Sequence, residues 1–524
     1  MKVVTAEQMR NIDRKAAELG VTTEFLMENA GRCVAEEIKR YVGNIAGRSV
    51  LALVGPGNNG GDALVAARYL DEWGADVSIY LLSARPLEDA NLSLAKEHGI
   101  PFFYADKDRK YTKVTALLST AEIVIDGVLG TGRARPLEGI FKEILCKLNE
   151  EKRRRPELLI IAVDIPTGLD ADTGAADPNC VRADLTVTLG LPKLGLYGFP
   201  GASQAGKVVI AEIGIPPQLS SDIPTWLITE KWARTALPAR PANANKGSFG
   251  RILAIVGSEN YIGAAYLACM GAARVGAGVV TLSTARSLQP TLASKLTEVT
   301  YAPLPESKKG MISDKASGGV LGILPYYRVL LMGCGLGQQL PTKELVKDIL
   351  FNLPEKSPLL VLDADALNIL SEVPAWWQKI KADAILTPHA GEMARLLSTS
   401  IEEVQRKRLE TARQAASKWQ KVVVLKGAYT IIAEPSGQAC ICNAANPGLA
   451  TAGTGDVLAG AIAGLAAQSS PLFDAASLGV YLHAMAGEAT KREFGDAGIL
   501  ASDLLPNLPR VIKGLREQSQ SAGG

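Results

Sequence analysis

The chain has 524 residues, 47% hydrophobic and 21% charged, with 51 glycines and few aromatics. That length points to two or three domains rather than one core, and the balance is that of an ordinary globular protein. With 56 basic and 54 acidic residues the formal charge is only +2, which excludes broad electrostatic capture of nucleic acid or of a membrane surface as its function.

At the N-terminal end, residues 1–20 lack the apolar run of a signal peptide, and no 18-residue span elsewhere is both uncharged and predominantly apolar. A cytoplasmic protein without membrane spans is expected. Thr5 followed by Gln8 is a capping-box pattern and predicts a helix over about 6–19. Apolar runs at 49–55, 77–82, 122–127 and 158–164 read as strands with helical patterns between most of them. Continuous Val/Ile/Leu runs separated by helices imply a parallel sheet covered on both faces. The mixed-charge stretch 142–157 reads as a solvated helix end.

The proline-rich stretch 214–247 marks a boundary, and two domains over about 1–218 and 226–524 are expected. Beyond it, strands are predicted at 251–257, 279–283, 329–335, 358–363, 384–388 and 422–427. Asp126, Asp164 and Asp363 close or nearly close buried-looking strands, where open α/β sheets border their ligand crevice. The seven cysteines are odd in number and irregularly spaced, so no disulfide framework is expected. Cys440 and Cys442 alternate onto one face of a β-like stretch, without the partners a metal site needs.

Two glycine-rich loops, "GPGNNGGD" (55–62) and "NPGLATAGTGD" (446–456), each join a strand-like run to a helix-like run and end in Asp. Such a loop lets backbone N–H groups converge on an anion at the positive end of a helix. The carboxylate that closes the second loop can take a hydroxyl proton in phosphoryl transfer. Taken alone, Gly-Asp is also an ordinary turn and cap.

In series, "NKGSFGRILAIVGSENYIGAAYLA", "GCGLG", "LDADALN", "TPHAGEMARLL", "LKGAYT", "NPGLATAGTGDVLAGAIAGLAAQ" and "YLHAMAGEAT" cover nearly all of 240–515. This part resembles the ADP/ATP-dependent NAD(P)H-hydrate dehydratases of the ribokinase-like superfamily. Cys334 stands where that family usually has Pro, "AGTGD" replaces "GGSGD", and Asn245 replaces a common His. In the first part, "LMENAG", "GPGNNGGDALVAARYL", "DGVLGTG", "VDIPTGLDADTG" and "TLGLPKLG" resemble the NAD(P)H-hydrate epimerase domain, which is Rossmann-like. There Ala63 replaces Gly, and Thr167 replaces Ser while keeping a hydroxyl.

The resemblance implies two open α/β domains, Rossmann-like then ribokinase-like, and two activities on NADHX and NADPHX. Their nicotinamide ring carries a 6-hydroxyl group as R or S epimer. The first half is expected to interconvert the epimers. The second is expected to dehydrate the S form with ADP or ATP as phosphoryl donor, ADP being the family's habit.

For the epimerase, the resemblance assigns Asn58, Asn59, Gly60, Gly61 and Asp62, with Gly130, Thr131, Gly132, Arg133, Ala134, Arg135 and Pro136, to the pyrophosphate-containing substrate. Asp164 is the implied acid/base residue, and Asn59, Asp126 and Thr167 the implied K⁺ ligands. Lys193 is a weaker candidate that surface packing explains equally well.

For the dehydratase, Asp456 is the implied proton acceptor, and Ala264, Gly335 and His389 lie on the substrate side. The nucleotide is assigned to Lys426, Gly427, Ala428, Tyr429 and Thr430, and to Asn446, Pro447, Gly448, Leu449, Ala450, Thr451, Ala452, Gly453, Thr454 and Gly455. Mg²⁺ is expected on the nucleotide phosphates, without assigned protein ligands. His98 and His483 are expected to be structural, and a homo-oligomer is expected. The competing reading is a vitamin-type kinase fused to a non-catalytic nucleotide-binding module.

Overall fold

The computed structural model describes residues 1–86, 88–132 and 136–521, the side chains of 518–521 excepted. It divides into two compact units, Met1–Ile223 and Pro224–Gly524.

In the first unit, the Thr5 capping box forms as the sequence predicts: Gln8 N donates to Thr5 Oγ1 at 3.1 Å and Thr5 N to Gln8 Oε1 at 2.9 Å. It opens α1 (Ala6–Glu18), followed by α2 (Thr23–Val42). The strands are β1 (Ser49–Val54), β2 (Asp76–Leu81), β3 (Phe102–Tyr104), β4 (Ile123–Gly127), β5 (Leu159–Val163), β6 (Leu185–Leu189) and β7 (Lys207–Ala211). Helix α3 (Asn58–Glu72) follows β1.

All seven strands are parallel, in the order β3-β2-β1-β4-β5-β6-β7. The order reverses between β1 and β4, so the crevice at their carboxyl ends is where this architecture binds ligands. Pleating sends alternate residues to opposite faces. Val50, Ala52 and Val54 of β1 enter one apolar core, and Leu51 and Leu53 enter the other. Burial on both faces explains why these strands read as unbroken apolar runs rather than as alternations.

The second unit has a ten-stranded sheet, in the order β11-β10-β9-β14-β15-β16-β17-β18-β19-β8. Its members are β8 (Thr225–Ile228), β9 (Arg251–Ile255), β10 (Val279–Ser283), β11 (Thr300–Tyr301), β14 (Val329–Met332), β15 (Leu359–Leu362), β16 (Ala384–Leu386), β17 (Val422–Leu425), β18 (Ile431–Ala433) and β19 (Ala439–Cys442). A separate small hairpin holds β12 (Glu306–Lys308) and β13 (Met311–Ile312). From β11 through β17 the pairing is parallel, whereas β18 is antiparallel to both neighbours.

The proline-rich boundary stretch is more ordered than its sequence indicates. Its Thr225–Ile228 segment is an edge strand paired to β19. Four residues between prolines are too few to show a period, and only the long-range pairing reveals them.

Helix α4 (Ile262–Arg274) follows β9, α5 (Ala390–Leu397) follows β16, α6 (Thr454–Ala467) follows the second glycine loop, and α7 (Leu472–Phe494) comes next. Helix α6 is buried around nearly its whole circumference. A Cβ at Gly460 would stand 2.0 Å from Ala268 O, so α6 and α4 touch backbone to backbone. Cys440 and Cys442 do share one buried face of β19, where Cys440 Sγ lies 3.1 Å from Ser477 Oγ. All seven cysteines are free thiols. Among the described residues no helix is long and apolar enough to cross a membrane.

Candidate active sites

In the first unit a cavity of about 750 Å³ opens at the carboxyl ends of β1, β4 and β5. Asn58, Asn59, Asp62, Gly130, Thr131, Gly132, Pro136 and Asp164 line it. Gly60 and Gly61 do not. Their N–H groups bond Gly57 O, and a Cβ on either would strike Gly55 O or Met27 Sδ. Arg133, Ala134 and Arg135 lie outside the described residues.

Asp164 follows β5 with φ 66°, a left-handed conformation that costs a non-glycine residue energy and is held only where the surroundings over-determine it. Those surroundings are specific. Asp164 N donates to Val187 O at 2.8 Å, while Oδ1 accepts from Lys193 Nζ, Thr188 Oγ1 and Leu189 N, the last two at 3.2 and 3.0 Å. Lys193 is 1% exposed, so the surface-packing explanation fails. A buried ammonium requires a counter-charge, and Asp164 supplies it. Sequence reading underrated Lys193 because β6 and the turn after it were legible only as a motif. Asp13, on α1, was missed entirely and also lines the cavity.

Behind the cavity wall, Asp126 is fully buried. Thr167 donates to it twice, from N to Oδ2 at 2.8 Å and from Oγ1 to Oδ1 at 2.6 Å. Burial pushes its carboxyl up to about 6 against these hydrogen bonds. Asn59 Nδ2 donates to Leu129 O at 3.2 Å, and Thr167 Oγ1 lies 3.2 Å from the same carbonyl. A buried carboxylate with no cation beside it among the described residues, next to amide, hydroxyl and carbonyl oxygens, is a donor set suited to a hard monovalent cation.

In the second unit, successive strand ends deliver one residue each. Gly335 follows β14, Asp363 follows β15, His389 follows β16 and Lys426 follows β17. Lys426 Nζ lies 2.6 Å from Asp363 Oδ1 and 3.8 Å from Glu392 Oε2. Burial works against its charge, but the Asp363 and Glu392 carboxylates outweigh it and hold the ammonium above the usual lysine range.

Thr387 Oγ1 also donates to Asp363 Oδ1, at 2.7 Å, and the Cys334 thiol lies 3.7 Å from Oδ2. His389 caps α5 in a full capping box. Its Nδ1 accepts from Gly391 N at 3.0 Å, and His389 N donates to Glu392 Oε2 at 2.8 Å. The His389 side chain is 53% exposed, and its Nε2 lies 3.2 Å from Glu392 Oε1. Ala264 and Gly335 adjoin, since a Cβ at Gly335 would stand 2.7 Å from that of Ala264.

Gly453, at φ 93°, turns the chain into α6, and Asp456 sits in the first turn of that helix. A side chain would resist that left-handed angle, which explains glycine there. Burial, and after it the Asp363 charge, push the Asp456 carboxyl up to about 7. The first-turn N–H groups beside it have no helical carbonyl to bond.

The nucleotide-loop candidates are joined through Tyr429 N, which donates to Ala444 O at 2.9 Å. Gly427 (φ 141°) and Tyr429 (φ 53°) bend the first of the two loops, and Thr430 Oγ1 closes it on Gly427 O at 2.7 Å. In the second loop, Asn446 Oδ1 caps the turn Pro447–Leu449 by accepting from Gly448 N. Thr454 Oγ1 bonds Leu449 O and Thr451 O, both at 2.9 Å. Among the described residues, buried Asn446 Nδ2 has no partner, a donor the fold leaves for something else. His483 Nε2 holds Thr454 O at 2.9 Å, and burial depresses the ring to about 4, so it braces the loop as a neutral donor.

Cys334, Asp363 and Asp456 bring three ligand atoms within 4.8 Å of one another. One is a thiol, and Asp363 is already bonded by Lys426 and Thr387. That set does not suit Mg²⁺, which takes oxygen ligands in near-ideal octahedral geometry, and no protein ligand is assigned to it.

These two carboxylate-bearing crevices, each at the carboxyl ends of a parallel sheet, define an α/β enzyme with two active sites. A family model described as YjeF-related protein N-terminus matches residues 23–195, and one described as NAD(P)H-hydrate dehydratase matches 252–510. A bifunctional NAD(P)H-hydrate repair enzyme of Moorella thermoacetica is 42% identical over 530 residues, spanning 99% of this chain and 98% of its own. One from Thermofilum pendens is 38% identical, spanning 99% and 98%. A crystal structure of the ADP/ATP-dependent NAD(P)H-hydrate dehydratase from Bacillus subtilis, co-crystallised with ATP and Mg²⁺, is 33% identical. It covers 55% of this chain and 98% of that one, with a TM-score of 0.48. The chain belongs to the family of bifunctional NAD(P)H-hydrate repair enzymes.

Proposed function

We propose that this enzyme epimerises R- and S-NAD(P)HX in its first unit and dehydrates the S form to NAD(P)H in its second. The observation that carries the reading is the pair of crevices, each with a buried acid beside a glycine-rich loop, in a chain whose relatives are matched end to end.

In the epimerase, Asn58, Asn59, Asp62, Gly130 to Gly132 and Pro136 bind the substrate, and Asp164 is the acid/base residue. Asn59, Asp126 and Thr167 would hold K⁺, which would supply a counter-charge to the buried Asp126 carboxylate.

In the dehydratase, ADP or ATP lies along Lys426 to Thr430 and Asn446 to Gly455, with Mg²⁺ on its phosphates. Ala264, Gly335 and His389 face the nicotinamide end. Asp456 takes the proton of the 6-hydroxyl as it attacks the terminal phosphoryl group. The first-turn N–H groups of α6 stabilise the charge on the transferring group. Phosphate then leaves with the C6–O electron pair, and loss of a C5 proton to solvent restores the ring double bond. Lys426 positions Asp363 and screens the carboxyl cluster. The free thiols fit a reducing cytoplasmic compartment. Homo-oligomeric assembly is tested by sedimentation.

The test of function is direct. Mixed NADHX epimers are incubated with the protein, with and without ADP or ATP, and NADH absorbance is followed. Nucleotide-dependent recovery is expected. A stable phosphorylated product without NADH would instead indicate a kinase.

A further inference from the structure

The epimerase cavity holds more acid than one catalytic residue needs. Asp13, Asp62, Glu138 and Asp164 line it with Arg10 and Lys193, four carboxyls against two cations among the described residues. Asp164 is anchored through Oδ1 alone. Among the described residues, no hydrogen bond engages its Oδ2. Asp62 sits in the second turn of α3, only 7% exposed, and its carboxyl makes no hydrogen bond or ion pair with any described residue. A buried carboxyl that the fold does not use is costly unless it stays neutral.

Burial pushes Asp62 well above the usual carboxylate range. The charges of Asp164 and Asp13 add to this, while Lys193 and Arg85 oppose it. The cavity therefore presents an uncommitted carboxylic acid on the α3 wall and an anchored carboxylate oxygen at the β5 end. One carboxyl left without a partner and one anchored by a lysine, across the same cavity, suit the roles of acid and base.

We propose that Asp62 is the proton donor to the departing ring hydroxyl, working with Asp164 as the base for the incoming water. This rests on the reading of the first unit as an epimerase. Protonated Asp62 gives its proton to the 6-hydroxyl oxygen. The C6–O bond breaks with its electron pair on oxygen, and water leaves as the ring nitrogen lone pair forms a C=N bond. A water on the other face then bonds to C6 and passes a proton to Asp164 Oδ2. One epimer has become the other, and one proton has moved from Asp62 to Asp164.

The opposite inversion uses the same pair with the roles exchanged, as microscopic reversibility requires. An enzyme acting in both directions needs one proton shared by two carboxyls, and its rate is therefore bell-shaped in pH. Lys193 is a positioning residue. It fixes Asp164 Oδ1 and spans to Leu189 O at 2.8 Å, leaving Oδ2 without a hydrogen bond among the described residues.

The test uses the full chain and a single purified epimer in heavy-oxygen water, without nucleotide so that the second unit is idle. Wild type should incorporate one labelled oxygen per inversion. Asp62→Asn, nearly isosteric and breaking no hydrogen bond of the fold, should lose ~10²–10⁴ in kcat with KM little changed, and should lose the high-pH fall in rate. Asp62→Glu should restore part of the rate and the fall. Inversion by Asp62→Asn at close to the wild-type rate, a loss confined to KM, or a pH profile that keeps its high-pH limb would overturn the proposal. Should Asp62→Asn fail to fold, a wild-type pH profile for Asp62→Glu, with the limb unmoved, overturns it equally. A wild type that neither inverts nor labels contradicts the epimerase reading itself, a distinguishable result.

Discussion

Lys426 Nζ lies 2.6 Å from Asp363 Oδ1, and that pair stands between the capped start of α5 and the first turn of α6. The ammonium is the near cation of a cluster that includes Asp363, Glu392 and, through Coulombic attraction, Asp456. Its removal leaves Asp363 buried and uncompensated. Lys426→Met should therefore destabilise the chain by about 3–5 kcal/mol. The double variant Lys426→Met/Asp363→Asn should recover much of that loss in a denaturant double-mutant cycle.

The same pair bears on the pH dependence of dehydration. Burial pushes Asp456 up to about 7, so with Asp456 as the proposed base kcat/KM for the S epimer should rise with pH through about 7 and level off above it. Lys426 lowers the Asp456 pKa, so removing it must raise it. In Lys426→Met the rising limb should move to higher pH, as a pH–rate profile would register.

Dehydration and epimerisation should separate at Asp456. Asp456→Asn should lose ~10²–10⁴ of nucleotide-dependent dehydration while still interconverting R and S forms, followed by chromatography of the two epimers.

K⁺ should matter to one unit only. Replacing it with Li⁺ should slow epimerisation and leave dehydration of purified S epimer unchanged. Thr167→Val removes a donor to buried Asp126 and should cost about 1–3 kcal/mol of stability, together with the response to K⁺.

Packing of α6 on α4 gives a prediction remote from the chemistry. At Gly460 a Cβ would press on the Ala268 carbonyl, which has no flexible end to swing away. Gly460→Ala should destabilise by about 1–3 kcal/mol in thermal unfolding.

Much of this was legible in the sequence, for reasons that differ by residue. The central strands are buried on both faces, so their apolar runs announced them to within two or three residues. The Thr5–Gln8 capping box located α1 because its chemistry is local. Short strands such as the edge strand β8 and the interior β18 were not legible, because three or four residues show no period and only pairing with neighbouring strands defines them. Asp164, Asp363 and Asp456 stood out at strand and loop ends. Lys193 and Asp13 did not, since the sequence around each carries no sign that the chain folds it toward Asp164. The burial of Lys193, which distinguishes it from a surface lysine, is set by residues as far away as Val4, which forms a bridge with it.

The central claim is that two different sites in one chain act in succession on a diffusing intermediate. It is tested most directly by NADH recovery from mixed epimers with ADP and Mg²⁺. Wild type should show a single fast phase running to completion. Asp164→Asn should consume the S form quickly and the remainder only at the spontaneous rate of R-to-S conversion, and adding the Asp456→Asn chain should abolish that slow phase. Rapid recovery from both epimers by Asp164→Asn alone would contradict the account.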